Sequence, residues 1–280
     1  MKKISRRSFL AASGLTIAAL ALTACGGSAS TASSAASSVA ASSEAASTSA
    51  AAAELTTVEA GKLTMATNAA FPPYEMTTDA GAFEGIDIDT AQAIADKLGL
   101  ELQIDDMDFD AALLSVQQGK ADIAMAGVTV TDERKAVMDF SDSYATGIQS
   151  IIVPEGSDIA SPDDLAGKKI GTQRGTTGYI YCSDDFGDNA VVAYDDGLTA
   201  VQALNNGQVD AVVIDNAPAK EFVAANPGLV LLDTSYAEED YAIGMNKSNT
   251  ALLEAVNAAL EELKADGTLQ AIVDKYIKAE

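Results

Sequence analysis

Two charged residues of opposite sign follow apolar segments, and both are candidates for binding a small molecule. Arg134 lies just past an apolar strand that is predicted to end in Gly127 and Thr129. A guanidinium is a planar fork of donors that matches a carboxylate, and Gly127 and Thr129 leave backbone groups and a hydroxyl available to the same anion. Farther along the chain, Asp215 closes a second apolar strand. A fixed cation and a fixed anion of this kind suit an α-amino acid zwitterion.

The two segments that carry these residues resemble each other as a weak internal repeat. Each has an amphipathic helix, then a Gly-x-x-Asp turn at residues 119–122 or 207–210, and then a buried strand. Open α/β sheets place ligands in a crevice at the strand ends. The repeat therefore predicts two similar lobes, with Arg134 and Asp215 facing one shared cleft.

Both charged residues also have a structural alternative. Arg134 could form a surface ion pair with Asp132 or Asp139. Asp215 could cap the helix predicted after it, which is a common role of aspartate. The sequence leaves these alternatives open, and Asp215 could fill both roles.

The composition is strongly acidic, with 41 Asp and Glu against 17 Lys and Arg and a formal net charge of −24. Such a surface repels nucleic acid and anionic lipid headgroups, so neither is expected as a partner. The same charge favours a monomer.

The N-terminus is interpreted as a signal peptide that spans residues 1–24, with a basic stretch at 2–7 and an apolar stretch at 9–22. Leu-Thr-Ala-Cys at 22–25 resembles a bacterial lipobox, which makes Cys25 the lipidated, palmitate-bearing first residue of the mature protein. Ser-Arg-Arg-Ser-Phe-Leu at 5–10 resembles a twin-arginine export signal, with an ordinary secretory signal as the alternative. These features predict a lipid anchor at the cell membrane, on its extracytoplasmic face.

Residues 25–57 are predicted to be a tether, because they are nearly all Ala, Ser, Gly and Thr and cannot bury a core. An alanine-rich helix is the alternative, although the many serines lower helix propensity.

Cysteine and histidine usage argues against several kinds of site. The chain has two cysteines, Cys25 and Cys182, and no histidine. Once Cys25 is lipidated no intrachain disulfide can form, and a zinc site or a thiol catalyst lacks the groups that it needs. We predict no metal site, no cofactor and no catalytic residue, although carboxylates could still supply acid chemistry, and we interpret Cys182 as a packed small side chain.

Strand-like and helical stretches alternate along the rest of the chain, which favours parallel sheets covered by helices. A first lobe is predicted at 58–147, a second lobe with a hinge strand at 148–238, and a return to the first lobe at 239–280. Two crossings between lobes make a hinge. Strands are predicted at 62–67, 101–104, 122–126, 168–172, 190–194, 211–214 and 229–232, helices at 88–98, 109–118, 250–265 and 268–277, and extended runs at 147–153 and 241–245.

Five motifs, in this order, resemble those of the family 3 solute-binding proteins, the polar amino-acid-binding proteins of bacterial ABC importers. The resemblance covers residues 62–277. It implies an α/β fold of the two-lobed periplasmic-binding-protein type (type II), with two hinge crossings and the ligand in the interlobe cleft. It also implies an ABC permease and its ATPase as partners. The motifs are TNAAFPPYE at 67–75, GIDID at 85–89, the segment from TDER to DFSDSY at 131–144, GTTG at 175–178, and Asp215.

The family pattern implies a role for each matching residue. Arg134 would bind the ligand α-carboxylate, helped by Thr129 and Thr177. Asp215 would bind the α-ammonium with the Gly127 carbonyl and the Thr129 hydroxyl. The remaining candidates surround the ligand side chain, with Phe71 and Phe109 at its stem and Asn68, Gln173 and Arg174 at its end.

These implied roles have alternatives as well. Phe71 and Phe109 could be plain core residues, and Thr177 could merely cap a helix that begins near residue 175. Three further carboxylates of the matching motifs are interpreted as structural, namely Glu75, Asp87 and Asp89.

Position 68 departs from the family pattern of cationic amino-acid binders, which often carry an aspartate there. Asn68 cannot neutralise a lysine or arginine side chain as a carboxylate can, so the resemblance implies a neutral polar ligand such as glutamine. Other carboxylates could enter the pocket instead, and Arg174 leaves an acidic ligand possible; the carboxylates are Glu84, Asp108 and Asp110.

Two other functions remain open at this point. Dehydratases that act on cyclohexadienyl acids share this fold, and acid chemistry needs only a positioned carboxyl group. The ammonium-binding aspartate and the two aromatic residues favour binding over catalysis. A ligand sensor for a signalling receptor is the second rival, and the sequence does not distinguish it from an importer component.

Overall fold

The computed structural model describes residues 55–277. The predicted signal peptide, Cys25 and nearly all of the predicted tether lie outside these residues. The first lobe begins with β1 (Lys62–Thr67) and a small antiparallel sheet. Its elements are β2 (Ala70–Phe71), β3 (Glu75–Thr77), β4 (Phe83–Glu84), α1 (Ile86–Leu98), β5 (Glu101–Asp106), α2 (Phe109–Gln117), β6 (Ile123–Ala124), α3 (Asp132–Val137) and β7 (Asp139–Phe140).

The second lobe begins with the long strand β8 (Ala145–Pro154) and contains two short 3₁₀ helices, Pro162–Leu165 and Asp188–Ala190. Its other elements are β9 (Ile170–Gln173), α4 (Thr177–Phe186), β10 (Val191–Tyr194), α5 (Gly197–Asn205), β11 (Ala211–Asp215), α6 (Asn216–Ala225), β12 (Leu229–Leu231) and β13 (Ala237–Tyr241).

The chain then returns to the first lobe through β14 (Gly244–Met245), which is followed by α7 (Thr250–Ala265) and α8 (Thr268–Tyr276). Helix α7 begins at an Asn249 cap, whose side chain accepts a hydrogen bond from the Leu252 amide. Its buried residues recur at helical spacing and face α1, and α8 packs on both helices. The buried residues of α7 are Leu252, Val256, Ala259, Leu260 and Leu263.

Each lobe has its own sheet, with the order β5-β1-β6-β14-β7 in the first and β10-β9-β11-β8-β12 in the second, where β13 also pairs with β8. The two-lobed α/β fold is confirmed. The predicted parallel pairing is found for β1 with β5 and β6 and for β9 with β10 and β11. The sheets are nevertheless mixed, because β14 is antiparallel to β6 and β7, and β8 is antiparallel to β11, β12 and β13. The physical reason is the crossing itself. Strand β8 leaves the first lobe and β13 leads back to it, so the two run side by side in opposite directions.

The predicted strand at 122–126 is shorter than expected. Strand β6 ends at Ala124, because Gly127 takes a left-handed φ of 55° and turns the chain out of the sheet. Gly127 and Thr129 therefore lie in the following turn and do not end the strand as predicted. Thr129 forms a single antiparallel bridge with Tyr241, so this turn touches the return crossing.

The two Gly-x-x-Asp turns have the same construction. Gly119 and Gly207 have φ values of 67° and 66°. Asp122 accepts hydrogen bonds from the amides of Val58 and Thr64, and Asp210 accepts one from the amide of Lys169, just before β9. Each aspartate thus holds the start of the strand beside its own, which is why the two lobes share a sequence pattern.

Within residues 55–277, no helix is both long enough and apolar enough to cross a membrane.

Candidate ligand-binding site

All nine predicted ligand-binding residues line one cavity between the lobes. Six further residues share this lining: Glu75, Ala126, Gln149, Thr176, Val213 and Ile214. The predicted residues come from turns, helix starts and strand ends of both lobes, so the fold brings together side chains that are far apart in the sequence. They are Asn68, Phe71, Phe109, Gly127, Thr129, Arg134, Gln173, Thr177 and Asp215.

Arg134 enters the cavity from the short helix α3, whose N-cap residue Thr131 accepts a hydrogen bond from the Arg134 amide. Its side chain is buried, and it donates to two backbone carbonyls, those of Thr129 at 2.8 Å and Gly175 at 3.1 Å. The guanidinium carbon lies 5.3 Å from the centre of the Phe109 ring. The proposed surface ion pair is therefore wrong, because the guanidinium is directed inward.

Burial lowers the pKa of Arg134, and the negative charge of Glu239 acts in the opposite direction. The neutral carbonyls around the guanidinium hold it in place without cancelling its charge. Because one carbonyl belongs to each lobe, Arg134 also links the lobes across the cleft.

Asp215 ends β11 on the far side of the same cavity and is 8% exposed. Its Oδ2 atom accepts a hydrogen bond of 2.7 Å from Nε2 of Gln149. Asp215 occupies the N-cap position of α6, but its side chain makes no capping hydrogen bond, so the side-chain capping role is wrong. Burial raises the pKa of Asp215 to about 7, and the charge of Glu239 adds to this, while contacts with Tyr241 and Gln149 act against it.

A cluster of buried polar side chains lies beside Asp215, and sequence reasoning missed its centre. Glu239 of β13 is 7% exposed, and its Oε2 accepts from the Thr129 hydroxyl, the Thr177 hydroxyl and the Gln149 amide at 3.1, 2.9 and 3.0 Å. A buried glutamate is rare and needs partners such as these.

Two glycines allow the close packing around the cluster. A Cβ atom at Gly127 would lie 2.8 Å from the Phe71 ring, and one at Gly147 would collide with the Tyr241 ring and lie 2.6 Å from Asp215. Any side chain at these positions would push Phe71 or Asp215 out of place.

Thr177 lies at the N-terminus of α4 but does not cap it. Thr176 is the N-cap residue, and its hydroxyl accepts from the Tyr179 amide. The Thr177 hydroxyl is directed instead at Glu239, and it lies 3.4 Å from the Thr129 hydroxyl of the other lobe. The capping alternative is therefore wrong, and the helix N-terminus that carries Thr177 faces the cavity.

The predicted side-chain end of the site is closed by two amides. Gln173 donates to the Asn68 carbonyl oxygen at 2.8 Å, and Asn68 donates to the Met107 carbonyl at 3.0 Å. Phe71 and Phe109 are buried and still line the cavity, so core packing and lining are not exclusive.

Arg174 does not line this cavity. Its side chain is 58% exposed and lies 3.5 Å from Asp195, and it lines a separate depression together with Asp108 and Asp110. Because the Arg174 side chain points away from the cleft, it supplies no positive charge to an acidic ligand side chain. Glu84, Asp108 and Asp110 are likewise absent from the lining of the central cavity.

Asp87 and Glu75, two carboxylates that were interpreted as structural, lie next to or in the wall of the cavity. Asp87 accepts from the Gly127 amide at 3.0 Å and from the Tyr144 hydroxyl at 2.8 Å, which fixes the turn that presents Gly127. Glu75 is fully buried at the cavity wall, and burial together with the charge of Asp87 raises its pKa well above the ordinary value. Asp87 therefore positions the turn that carries Gly127, and Glu75 forms part of the cavity wall.

Cys182 is fully buried in the second lobe, and burial raises the pKa of its thiol to about 12. Such a thiol is unreactive at neutral pH. Within the described part of the chain, no three potential ligand residues are grouped closely enough to hold a metal ion.

Comparison with known proteins gives consistent matches. The model of the bacterial extracellular solute-binding proteins, family 3, matches residues 63–279. The L-cystine-binding protein TcyJ of Escherichia coli is 33% identical over 79% of this chain and 85% of its own length. The ABC transporter glutamine-binding protein GlnH of Bacillus subtilis is 34% identical over 71% of this chain and 74% of its own.

Among solved structures, an ancestral arginine-binding protein bound to glutamine is 42% identical, with a TM-score of 0.75. The match covers 78% of this chain and 99% of that protein. The family and these relatives are binding proteins and not enzymes, so the dehydratase alternative is not supported.

Proposed function

This chain belongs to the bacterial extracellular solute-binding proteins of family 3, and from that premise we propose that its cleft captures a polar α-amino acid for an ABC importer. The single observation that carries the proposal is the presence of two buried charges of opposite sign, Arg134 and Asp215, on opposite lobes of one cavity. A zwitterion presents the matching pair of charges on one carbon atom. Membership of an extracellular family supports capture outside the cytoplasm.

Arg134 is the group proposed to bind the α-carboxylate. Its guanidinium is held by neutral carbonyls, which leaves its charge available to an anion. Helix α4 begins at Thr177, which lines the cavity, so the N-terminus of this helix faces the same region and favours an anion there. A carboxylate seated here would meet donors from both lobes.

Asp215 is the group proposed to bind the α-ammonium. The Gly127 carbonyl and the Thr129 hydroxyl oxygen lie at the same cavity and are acceptors that complete such a site. An ammonium has three N–H donors and no acceptor, so an environment of acceptors selects it.

The end of the cavity at Asn68 and Gln173 is proposed to set the preference for a neutral polar side chain. Both groups are uncharged amides, which can donate and accept hydrogen bonds but cannot neutralise a cation. Phe71 and Phe109 would pack against the aliphatic stem. Glutamine fits this set of groups well.

Ligand binding is proposed to stabilise the closed arrangement of the lobes. Four contacts of the described residues already cross the cleft, namely Arg134 to the Gly175 carbonyl, Gln173 to Asn68, Thr129 to Thr177, and Thr129 to Glu239. An amino acid that touches Arg134 and Asp215 together adds differential affinity for the closed state, which is what shifts such an equilibrium. The closed protein would then deliver the amino acid to the permease.

The proposed anchoring at the cell membrane rests on the sequence. Lipidation of Cys25 would keep the protein at the cell membrane, on a tether formed by residues 25–57, and the acidic surface favours a monomer. Mass spectrometry of the N-terminal peptide of the mature protein tests the anchor. A diacylglycerol-modified Cys25 is expected, and an unmodified N-terminus elsewhere would contradict it.

A thermal-shift screen tests the proposed function. The purified protein is stripped of bound ligand by unfolding and refolding, and then heated with each standard amino acid and with ornithine, citrulline and cystine. A compound at a hundred times its Kd adds about 2.7 kcal/mol of stability. A strong shift with a neutral polar amino acid is expected. A shift only with arginine or lysine would contradict the side-chain preference, and no shift at all would contradict amino-acid capture.

A further inference from the structure

Glu239 is a buried carboxylate that none of the five sequence motifs includes. It lies on β13, the strand that leads back from the second lobe to the first, and is 7% exposed. Its neighbours Glu238 and Asp240 on the same strand are exposed, as the alternation of a half-buried strand requires. A lone glutamate on the buried face of a strand is costly unless its neighbours compensate it.

Three donors compensate Glu239, and they come from three separate elements. The Thr129 hydroxyl belongs to the turn after β6 in the first lobe, the Thr177 hydroxyl to the start of α4 in the second, and the Gln149 amide to β8. All three bonds end on the same oxygen, Oε2, at 2.9 to 3.1 Å. Glu239 therefore accepts hydrogen bonds from both lobes and from β8, the strand that leaves the first lobe.

These bonds also fix the direction of the threonine hydroxyls. A hydroxyl has one proton, so a hydroxyl that donates to Glu239 has only lone pairs left for any other partner. Thr129 and Thr177 then present acceptors to the cavity. Gln149 uses the same Nε2 atom to donate to Asp215 at 2.7 Å, so one amide nitrogen holds both carboxylates close together.

We infer that Glu239 is a positioning residue for recognition of the ligand ammonium, because it consumes the local donors and leaves an acceptor-lined site beside a second negative charge. The inference rests on the proposed function and deepens it. It assigns the cation end of the cleft to a pair of carboxylates, Asp215 and Glu239, joined by Gln149. It predicts that this end discriminates strongly for a charged ammonium and against the same molecule without one.

Other ionisable groups lie around this pair, and one of them, Tyr241, contacts Asp215 through its hydroxyl. The charges of Glu239 and Asp215 both raise the pKa of Arg134, but its N–H groups donate to backbone carbonyls. The charge of Asp215 also acts on Tyr241, Tyr74 and Glu75, and burial raises the pKa of each, which keeps the two tyrosines uncharged at neutral pH. None of these groups other than Arg134 brings a positive charge to the lining of the cavity.

The test combines one isosteric variant with two pairs of compounds. Kd is measured by calorimetry for L-glutamine and its deamino analogue glutaramate, and for L-arginine and its deamino analogue 5-guanidinopentanoate. Glu239→Gln keeps the shape but removes the charge and brings an N–H group toward the Gln149 amide. It is expected to weaken amino-acid binding about ten- to hundredfold, because hydrogen bonds to charged groups are lost. Binding of the deamino analogues should change by less than about threefold or become tighter.

Glu238→Gln is the matched control, since it makes the same chemical change at the exposed neighbour, and it should leave every Kd unchanged.

The pH dependence of the affinity is a second measurement. The affinity of the wild type for glutamine should fall as the pH drops through about 7, and in Glu239→Gln this fall should move to lower pH, because the charge of Glu239 raises the pKa of Asp215. A purely structural role would not move this midpoint.

Equal weakening of the amino acids and their deamino analogues would overturn the inference, and so would unchanged binding of both. If Glu239→Gln does not fold, Glu239→Asp keeps the charge on a shorter side chain and should show the same selective loss to a smaller degree. Equal loss for both kinds of compound would again overturn it. A wild-type chain that binds none of the four compounds contradicts the proposed function itself, and the inference falls with it.

Discussion

The two ends of the cleft hold opposite charges in opposite ways. At the anion end, Arg134 is surrounded by neutral groups, with carbonyls of Thr129 and Gly175 as its hydrogen-bond acceptors. At the cation end, Asp215 shares the Gln149 amide with a second carboxylate, Glu239. The guanidinium is satisfied without a counter-charge, whereas the carboxylates are crowded together.

This difference has electrostatic consequences for each end. Arg134 remains charged despite its burial, because a guanidinium cannot be deprotonated in a protein at neutral pH. Asp215 has its pKa raised to about 7, first by burial and then by the charge of Glu239. The anion end therefore keeps its positive charge at neutral pH. The negative charge of Asp215 at the cation end depends on pH and on neighbouring charges.

The largest expected effect comes from removing the fixed cation. Arg134→Ala should weaken amino-acid binding by about 2 to 5 kcal/mol, or roughly thirtyfold to several thousandfold, because the ligand carboxylate would be buried without a partner. Calorimetry measures the loss. Lys135→Ala, on the exposed side of the same helix, is the control and should leave the affinity unchanged. An Arg134→Ala protein with wild-type affinity would contradict binding of the ligand carboxylate by Arg134.

Asp215→Asn should cost less, because the charge of Glu239 remains behind the lining residues Thr129, Thr177 and Gln149. The loss of one charge-assisted hydrogen bond predicts about ten- to hundredfold weaker binding. The comparison with Arg134→Ala by the same titration shows whether the cation end is indeed shared between two carboxylates. Asp233→Asn at an exposed position is the control. A loss larger than that of Arg134→Ala would argue that Asp215 acts alone.

Protonation should separate the two ends without any mutation. Below pH 7 the Asp215 carboxyl of the ligand-free protein takes up a proton that the ammonium must displace, so affinity should fall by up to about tenfold per pH unit. Arg134 does not titrate in this range. Titrations at pH 8, 7 and 6 measure the slope, which Asp215→Asn should abolish. A flat profile in the wild type would mean that the carboxylate is already ionised in the free protein.

Asn68→Asp should change which side chain the cleft accepts and leave both charged ends intact. A carboxylate at position 68 can still accept from Gln173, and it adds the negative charge that a guanidinium or ammonium side chain requires. The ratio of the arginine and glutamine affinities should shift toward arginine by about tenfold. Asn206→Asp, at an exposed helix end, should not shift this ratio. An unchanged ratio for Asn68→Asp would place the ligand side chain elsewhere.

The smallest effect is expected for Gln173→Ala, which removes one neutral hydrogen bond between the lobes. About two- to tenfold weaker binding is predicted, since such a bond contributes roughly 0.5 to 1.5 kcal/mol. Gln202→Ala on the exposed face of α5 is the control. A loss as large as that of Asp215→Asn would show that closure and not charge dominates the binding energy.

The sequence predicted one end of the cleft more completely than the other. Arg134 and Thr177 lie in motifs with fixed spacing, and the structure brings them to the cavity with Thr129 and Asp215. Glu239 and Gln149 were missed. Glu239 lies in the acidic run Ala-Glu-Glu-Asp, which has the composition of a solvated loop.

The signal that could have found Glu239 is the alternation that ends in Tyr241. It places residues 239 and 241 on one buried face, but only once the segment is known to pair with β8. That pairing joins residues far apart in the chain. The same non-local pairing explains why the antiparallel strands were not predicted, whereas the local Gly-x-x-Asp turns were.

The most direct test of the account compares three molecules on the wild-type protein at pH 7.5. They are the amino acid with the largest thermal shift, its analogue with hydrogen in place of the ammonium, and its analogue with hydrogen in place of the carboxylate. Calorimetry should give at least about hundredfold weaker binding for both analogues, because each leaves one buried charge of the cleft without a partner. An analogue that binds as tightly as the amino acid would contradict recognition of a zwitterion by two opposed charges.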